Sequence, residues 1–253
     1  MRTFDRFSWI RTRDGSPTLF HNEEGAAFRS QKGAFTESFH VFVKPALEFA
    51  NKSASTDKPT DKPIRVLEFG LGPGTNWLLW TVFSSIDPNL NGREIQYVAI
   101  EKDTSSFEIG CQFWIDSCDD LPAMMSKSCY GEGQQENLLF PTSPELKSLL
   151  EIAKEKIQIL PSLDNVADET TTTENGKFDI CFFDPFGYDV NPEAYQAPAL
   201  ERLKSTLKPK SIAFSYACNS KFQRSLRDAG YNLATPYSGA HQLKRERIEF
   251  WPA

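Results

Sequence analysis

The stretch from Ile64 to Asn76 constrains the fold most. An apolar run, Ile64–Phe69, leads directly into Gly70-Leu71-Gly72-Pro73-Gly74, and a helical pattern opens at Thr75. A buried strand that turns on glycines into a helix is the first step of a parallel βαβ unit. The pattern then repeats. Strands are expected at 96–100, 157–160, 178–183 and 211–216, with a terminal strand at 248–251. Helices are expected at 75–85, 105–116, 144–156, 195–207 and 220–229. Such alternation predicts an α/β fold with a mainly parallel, doubly wound sheet. Residues 117–143 read as irregular and 161–177 as a polar insertion. Of the 253 residues, 40% are hydrophobic, enough for one sizeable core.

Ahead of this region, residues 7–49 read as short extended pieces around turns such as Asp14-Gly15-Ser16-Pro17. Phe39-His40-Val41-Phe42-Val43 has strand-like composition. The polar run at 51–63 is the best internal boundary. It divides an N-terminal, strand-rich extension with linker (1–63) from the main domain (64–253).

Several functions are disfavoured by composition. No run of apolar residues is long enough to span a membrane, and no signal core follows Met1, so the expected location is the cytoplasm. Five cysteines without a Cys-x-x-Cys pair, and three scattered histidines, support neither a disulfide framework nor a metal site. The net charge is −6, which argues against indiscriminate nucleic-acid binding. Yet residues 201–253 carry ten basic and four acidic groups, and residues 66–200 carry seven and 22. A local phosphate-binding patch is therefore compatible with the sequence.

The glycine turn decides between cofactors. A dinucleotide fingerprint needs Gly-x-Gly-x-x-Gly, and its third glycine would fall at Thr75. Glu68-Phe69-Gly70-Leu71-Gly72-Pro73-Gly74 instead resembles the first motif of class I S-adenosylmethionine-dependent methyltransferases, a Rossmann-like class. The resemblance implies that Glu68, Gly70, Gly72, Gly74 and Asn76 surround the cofactor, with Glu68 toward its positively charged methionine end. Glu101 closes the second strand, where Rossmann-like sites place a carboxylate on ribose hydroxyls. Asp184 arrives at the carboxyl end of the strand 178–183, the edge at which such sheets bind ligands. A carboxylate there can accept a hydrogen bond or a proton from an amine acceptor.

Around Asp184 the resemblance narrows. Asp184-Pro185-Phe186-Gly187-Tyr188-Asp189-Val190-Asn191-Pro192-Glu193-Ala194-Tyr195 is similar, without a gap, to Asp-Gly-Phe-x-Pro-x-x-Asn-Pro-x-x-Trp. That pattern marks the MnmC-like methyltransferase domain of the tRNA 5-methylaminomethyl-2-thiouridine biosynthesis protein. Asp14–Leu19, Gly33–Ser38 and His40–Val43 resemble its N-terminal segment. Glu101-Lys102, Phe222–Tyr231 and Lys244-Arg245-Glu246 resemble later parts, so the likeness runs over roughly residues 14–250. Pro185 stands where the family has Gly, Tyr188 where it has Pro, and Tyr195 where it has Trp. The family's Gly-Asp after the third strand is missing, which leaves Asp164 as the adenine-side candidate. No flavin-dependent oxidase segment accompanies the resemblance.

The family implies methyl transfer to the aminomethyl nitrogen of 5-aminomethyl-2-thiouridine at the tRNA wobble position. Asp184 is then the catalytic group. Phe186 and Tyr188 are candidates to stack on the base, or to pack in the core. Arg224, Lys244 and Arg245 are candidate phosphate contacts, supported by Lys221, Arg227 and Arg247. Two other readings stay open: an amine methyltransferase for a small molecule or a protein, and a catalytically inactive cofactor-binding subunit that recognises RNA.

Overall fold

The computed structural model describes residues 6–56, 62–131, 139–162, 164–165, 177–234 and 247–253. Contacts divide the chain into two units. One holds residues 1–60, 71–93 and 103–157, and the other 61–70, 94–102 and 158–253.

The second unit contains a seven-stranded sheet. Its strands are β4 (Ile64–Phe69), β5 (Ile95–Ile100), β6 (Gln158–Leu160), β7 (Phe178–Phe183), β8 (Leu207–Ser215), β9 (Tyr231–Leu233) and β10 (Ile248–Pro252). The spatial order is β6-β5-β4-β7-β8-β10-β9. The first five of these strands pair in parallel, while β10 runs antiparallel to both β8 and β9. From β4 the chain builds outward through β5 and β6, then returns to add β7 on the other side of β4. That reversal makes the β4–β7 junction the topological switch point, where a crevice opens at the carboxyl ends of the strands.

One sheet face packs on α7 (Ala197–Thr206) and α8 (Ser220–Asp228). In α8 the Asn219 side chain accepts from the Phe222 amide at 2.8 Å, satisfying an otherwise orphan donor of the first turn. Phe222 and Leu226, one helical turn apart, are fully buried, whereas Lys221, Arg224 and Arg227 are exposed. Phe222 stacks on Phe183 with centroids 5.4 Å apart, and Tyr195 and Phe250 meet its ring edge-on.

The first unit starts with a small antiparallel sheet of β1 (Phe7–Arg11), β2 (Pro17–His21) and β3 (Ala26–Ala27). Its helices are α1 (Ala34–Ser38), α2 (Lys44–Thr56), α3 (Thr75–Ile86), α4 (Ser105–Asp116), α5 (Leu121–Tyr130) and α6 (Ser143–Lys156). Gly33, the N-cap of α1, offers no side chain to the first turn. Residues of the β1–β2 turn take that role. Thr12 Oγ1 accepts from the Ala34 amide, Ser16 Oγ from Phe35 and Asp14 Oδ2 from Thr36, at 3.0–3.2 Å. The motif at 14–19 and the motif at 33–38 are thus two halves of one cap.

Four expectations need correction. Phe39–Val43 is not a strand but a π-helical turn joining α1 to α2, with Phe39, Val41, Phe42 and Val43 all buried. Its β-branched and aromatic residues suit any densely packed surface, and burial on several sides overrode their strand preference. The polar run from 51 begins as the last turns of α2. The segment 117–143, read as irregular, holds α5, which starts with Pro122 in its first turn and stops at Gly131 with φ 81°. Within 7–49, read as extended pieces, 34–38 and 44–49 are helical, so α1 and α2 are additions, as is β9. The strands and helices expected from Ile64 onward occur within a few residues of their expected bounds.

Candidate active site at the strand switch point

At the switch point, hydrogen bonds continue past the ends of the strands. The Gly70 amide donates to Ile100 O at 3.1 Å, the Glu101 amide to Leu160 O at 2.9 Å and the Asp184 amide to Phe69 O at 2.8 Å. Gly70, Glu101 and Asp184 are therefore held by backbone as a row along one sheet edge. Gly70 and Asp184 touch. A Cβ on Gly70 would lie 2.5 Å from the Asp184 carbonyl oxygen, and its φ is 89°, so only glycine fits this backbone.

Glu68 points to the face opposite Leu67 and is fully buried. Tyr97 Oη donates to its Oε2 at 2.7 Å, so this carboxylate is held within the sheet, beneath the turn. Tyr97 was not singled out from the sequence. Its signal was its register: it lies on β5 two residues before Ala99, the partner of Glu68.

The rest of the turn belongs to the first unit. Gly74, with φ 74°, is the N-cap of α3 and has no side-chain capping bond. Asn76 is buried in the first turn of this helix, and the buried Thr75 hydroxyl has no hydrogen-bond partner among the described residues. The turn is fixed from α4: Trp114 Nε1 donates to Pro73 O at 2.9 Å. Gly110 lies so close to that same carbonyl that a Cβ there would sit 2.1 Å away. This explains a glycine in the interior of a helix, where its backbone entropy is otherwise unfavourable. Phe28, from the N-terminal extension, lies against Gly72, and Phe107 against Gly74.

Around Asp184 the structure brings together Pro185, Phe186, Tyr188, Tyr195 and Tyr216. Tyr188 packs on Tyr195 with centroids 5.8 Å apart, and Lys221 Nζ lies 3.8 Å from the centre of the Tyr188 ring. Arg224 is exposed on α8, one turn from Lys221. Asp164 forms an exposed ion pair with Arg202 of α7 at 2.9 Å. Lys244 and Arg245 lie outside the described residues.

The residues present fit S-adenosylmethionine. Within the first unit the turn has positive-φ glycines that allow close backbone approach, and the first turn of α3 has an orphan buried hydroxyl. Within the second, Glu101 supplies a carboxylate at a strand end. Other chemistries find less. Among the described residues no group of three or more His, Cys, Asp and Glu is placed to hold a metal ion. Burial pushes the Cys111 thiol up to about 12 and the Cys129 and Cys181 thiols well above their ordinary value, so these are inert core thiols. Among the described residues no helix is long and apolar enough to cross a membrane.

Residues 132–249 match a family model described as S-adenosyl-L-methionine-dependent methyltransferase. The match takes in Asp184 and the strands that follow it. No curated protein sequence matches the chain. Among solved structures, MnmC2 from Aquifex aeolicus is similar at 21% identity with a TM-score of 0.65, covering 97% of this chain and 70% of that one. Spermidine synthase from Thermotoga maritima is similar at 9% identity with a TM-score of 0.55, covering 97% and 68%. Both show the fold. Together, the Rossmann-like architecture and the matched segment make the chain an S-adenosyl-L-methionine-dependent methyltransferase, with S-adenosylmethionine as its cofactor. MnmC2 shares the fold that the MnmC-like resemblance of the sequence motifs implies.

Proposed function

We propose that the protein methylates the aminomethyl nitrogen of 5-aminomethyl-2-thiouridine at the wobble position of tRNA. The observation that carries this reading is the contact between Gly70 and the Asp184 backbone at the switch point, which puts an acid–base group beside the cofactor turn. Similarity to MnmC2 and the run of motifs from Asp184 to Tyr195 support the choice of acceptor. In this reading residues 64–253 are the methyltransferase domain and residues 1–63 its N-terminal extension, and the protein works in the cytoplasm.

When bound, the cofactor supplies an electrophilic methyl group on a sulfonium sulfur. Everything else falls to the chain. Glu101 accepts from ribose hydroxyls, with Asp164 on the adenine side. The glycine turn and Asn76 would hold the methionine portion, with Glu68 toward its positively charged end. Asp184 would accept a hydrogen bond from the acceptor amine, align its lone pair and take up its proton. Phe186 and Tyr188 offer aromatic surface to the base. Arg224, with Lys244 and Arg245, meets backbone phosphates.

The deciding experiment is transfer of tritiated methyl from S-adenosylmethionine to tRNA bearing the aminomethyl group, with tRNA lacking it as control. Label in the first and none in the second is expected. Equal labelling of both, or of neither, sinks the proposed acceptor. Labelling of a small amine or a protein in place of tRNA would select the alternative class of acceptor.

A further inference from the structure

Pro185 follows Asp184 and has no amide hydrogen, so its own backbone can be held only through its carbonyl. Two phenols take it. Tyr216, just beyond β8, donates through Oη to Pro185 O at 2.9 Å. Tyr195, in the 3-10 turn Pro192–Tyr195, directs Oη at the same oxygen at 3.3 Å and at Phe186 O at 3.2 Å. Burial, followed by the neighbouring Tyr216, pushes the Tyr195 hydroxyl far above its ordinary value, so it stays a donor. A carbonyl oxygen has two lone pairs, so it can accept both phenols. Upstream, the Asp184 amide is tied to Phe69 O. Asp184 is thus fastened on both sides by backbone bonds.

The three positions at which this loop departs from the family pattern, Pro185, Tyr188 and Tyr195, form one group. Tyr195 reaches Pro185 through its hydroxyl and Tyr188 through its ring.

We propose that Tyr195 and Tyr216 are positioning residues that hold the Asp184 carboxylate in register with the cofactor edge. This rests on the reading that Asp184 serves the acceptor amine. Geometry is the main catalytic resource in a direct methyl transfer, and a displacement of about 1 Å can cost on the order of 100-fold in rate.

The test compares Tyr195→Phe, Tyr216→Phe and the double variant by two readouts. Amide hydrogen exchange needs no substrate. In the double variant the amides of Phe186 to Asn191 should exchange about tenfold faster while those of β7 and β8 hold. With tRNA bearing 5-aminomethyl-2-thiouridine, kcat should fall about 10- to 100-fold, with KM for tRNA and affinity for S-adenosylmethionine within about twofold. Each single variant should lose less than its share, because the other phenol keeps the carbonyl satisfied. Unchanged exchange and kcat in the double variant overturn the proposal, as does faster exchange spread evenly through β7 and β8. If the double variant does not fold, Tyr216→Phe carries the test, since Tyr216 is only half-buried: faster exchange confined to Phe186–Asn191 with a smaller loss of kcat supports the proposal, and exchange and kcat both unchanged overturn it. Asp184→Asn separates the two ideas. Full activity in that variant sinks the role of Asp184 while the exchange result stands. Lost activity there, with an unperturbed tyrosine pair variant, sinks the positioning role alone.

Discussion

Asp14 and Asp184 each lie in a turn that a proline helps to shape, and bonds on different atoms anchor the two turns. At Asp14 the carboxylate itself is held. It accepts from the Ser16 amide (2.9 Å) and hydroxyl (2.5 Å), the Thr12 hydroxyl (2.7 Å), and the Thr36 amide (3.0 Å) and hydroxyl (2.7 Å). At Asp184 the fixed parts are backbone: its amide on Phe69 O and the following carbonyl on two phenols. A carboxylate engaged by five internal donors is a structural cap. For the other, carried on a fastened backbone at the carboxyl end of β7, we propose the role of serving the acceptor amine. The difference could not be read from the residue type.

Exchanging the properties of these two aspartates should break the contrast if it is wrong. Asp184→Asn should lower methyl transfer about 100- to 10,000-fold, the usual weight of one positioned acid–base group, while the thermal midpoint and S-adenosylmethionine affinity stay near wild type. A single-turnover rate close to wild type would remove Asp184 from the chemistry. Asp14→Ala should do the reverse. Charge-assisted bonds to buried donors are lost together, so stability should drop by about 2–4 kcal/mol by urea titration, with kcat per folded molecule unchanged. A large kcat loss in the folded fraction would mean that the N-terminal cap reaches the site.

Gly70→Ala sharpens the comparison at the edge itself. A side chain at this positive φ, against the Asp184 carbonyl, should cost about 1–3 kcal/mol and weaken S-adenosylmethionine binding by calorimetry. Gly92→Ala is the control. It is equally strained at φ 84° but meets nothing within 4 Å, so it should lower stability without changing affinity.

A smaller effect follows from pH. Burial pushes the Asp14 carboxyl up, but hydrogen bonds from Ser16, Thr12 and Thr36 outweigh it and hold the pKa below the ordinary 3.8. The folded state therefore binds this proton more weakly than the unfolded chain does. Its stabilising contribution is present above pH 3.8 and is lost as pH falls through the lower folded value. Asp14→Asn should flatten that part of the acid-unfolding curve, and an unaltered curve would rule out the linkage.

The smallest effect concerns the substrate surface. Reversing Arg224, Lys244 and Arg245 to Glu should lower tRNA affinity and reduce the slope of log affinity against log salt by roughly 0.7–0.9 per lost phosphate contact. S-adenosylmethionine affinity should not move. A slope that survives the reversal places the tRNA elsewhere on the protein.

Much of the second unit was legible because its signals are local. The strand at 178–183 is bounded as its apolar run predicts, and the helix at 220–228 follows from Asn219, Phe222 and Leu226. The first unit was less legible. Phe39–Val43 carries the composition of a strand inside a helical path, and no periodicity of five residues can separate the two. Tyr216 escaped notice because nothing near it in the chain marks it. Its partner, Pro185, lies 31 residues earlier.

The sequence by itself determined most of the order of strands and helices from Ile64 onward, the glycines at the first turn and the chemical character of each strand end. These depend on backbone stereochemistry and short-range periodicity, which act within a few residues. Only the tertiary structure decided which of these groups meet. Laying β7 beside β4 brings Asp184 against Gly70, more than a hundred residues away in sequence, and adding β8 beside β7 brings Tyr216 to Pro185. The physical reason is that strand order is set by burial and by ladder hydrogen bonds over the whole sheet. No single segment contains the information about its neighbour.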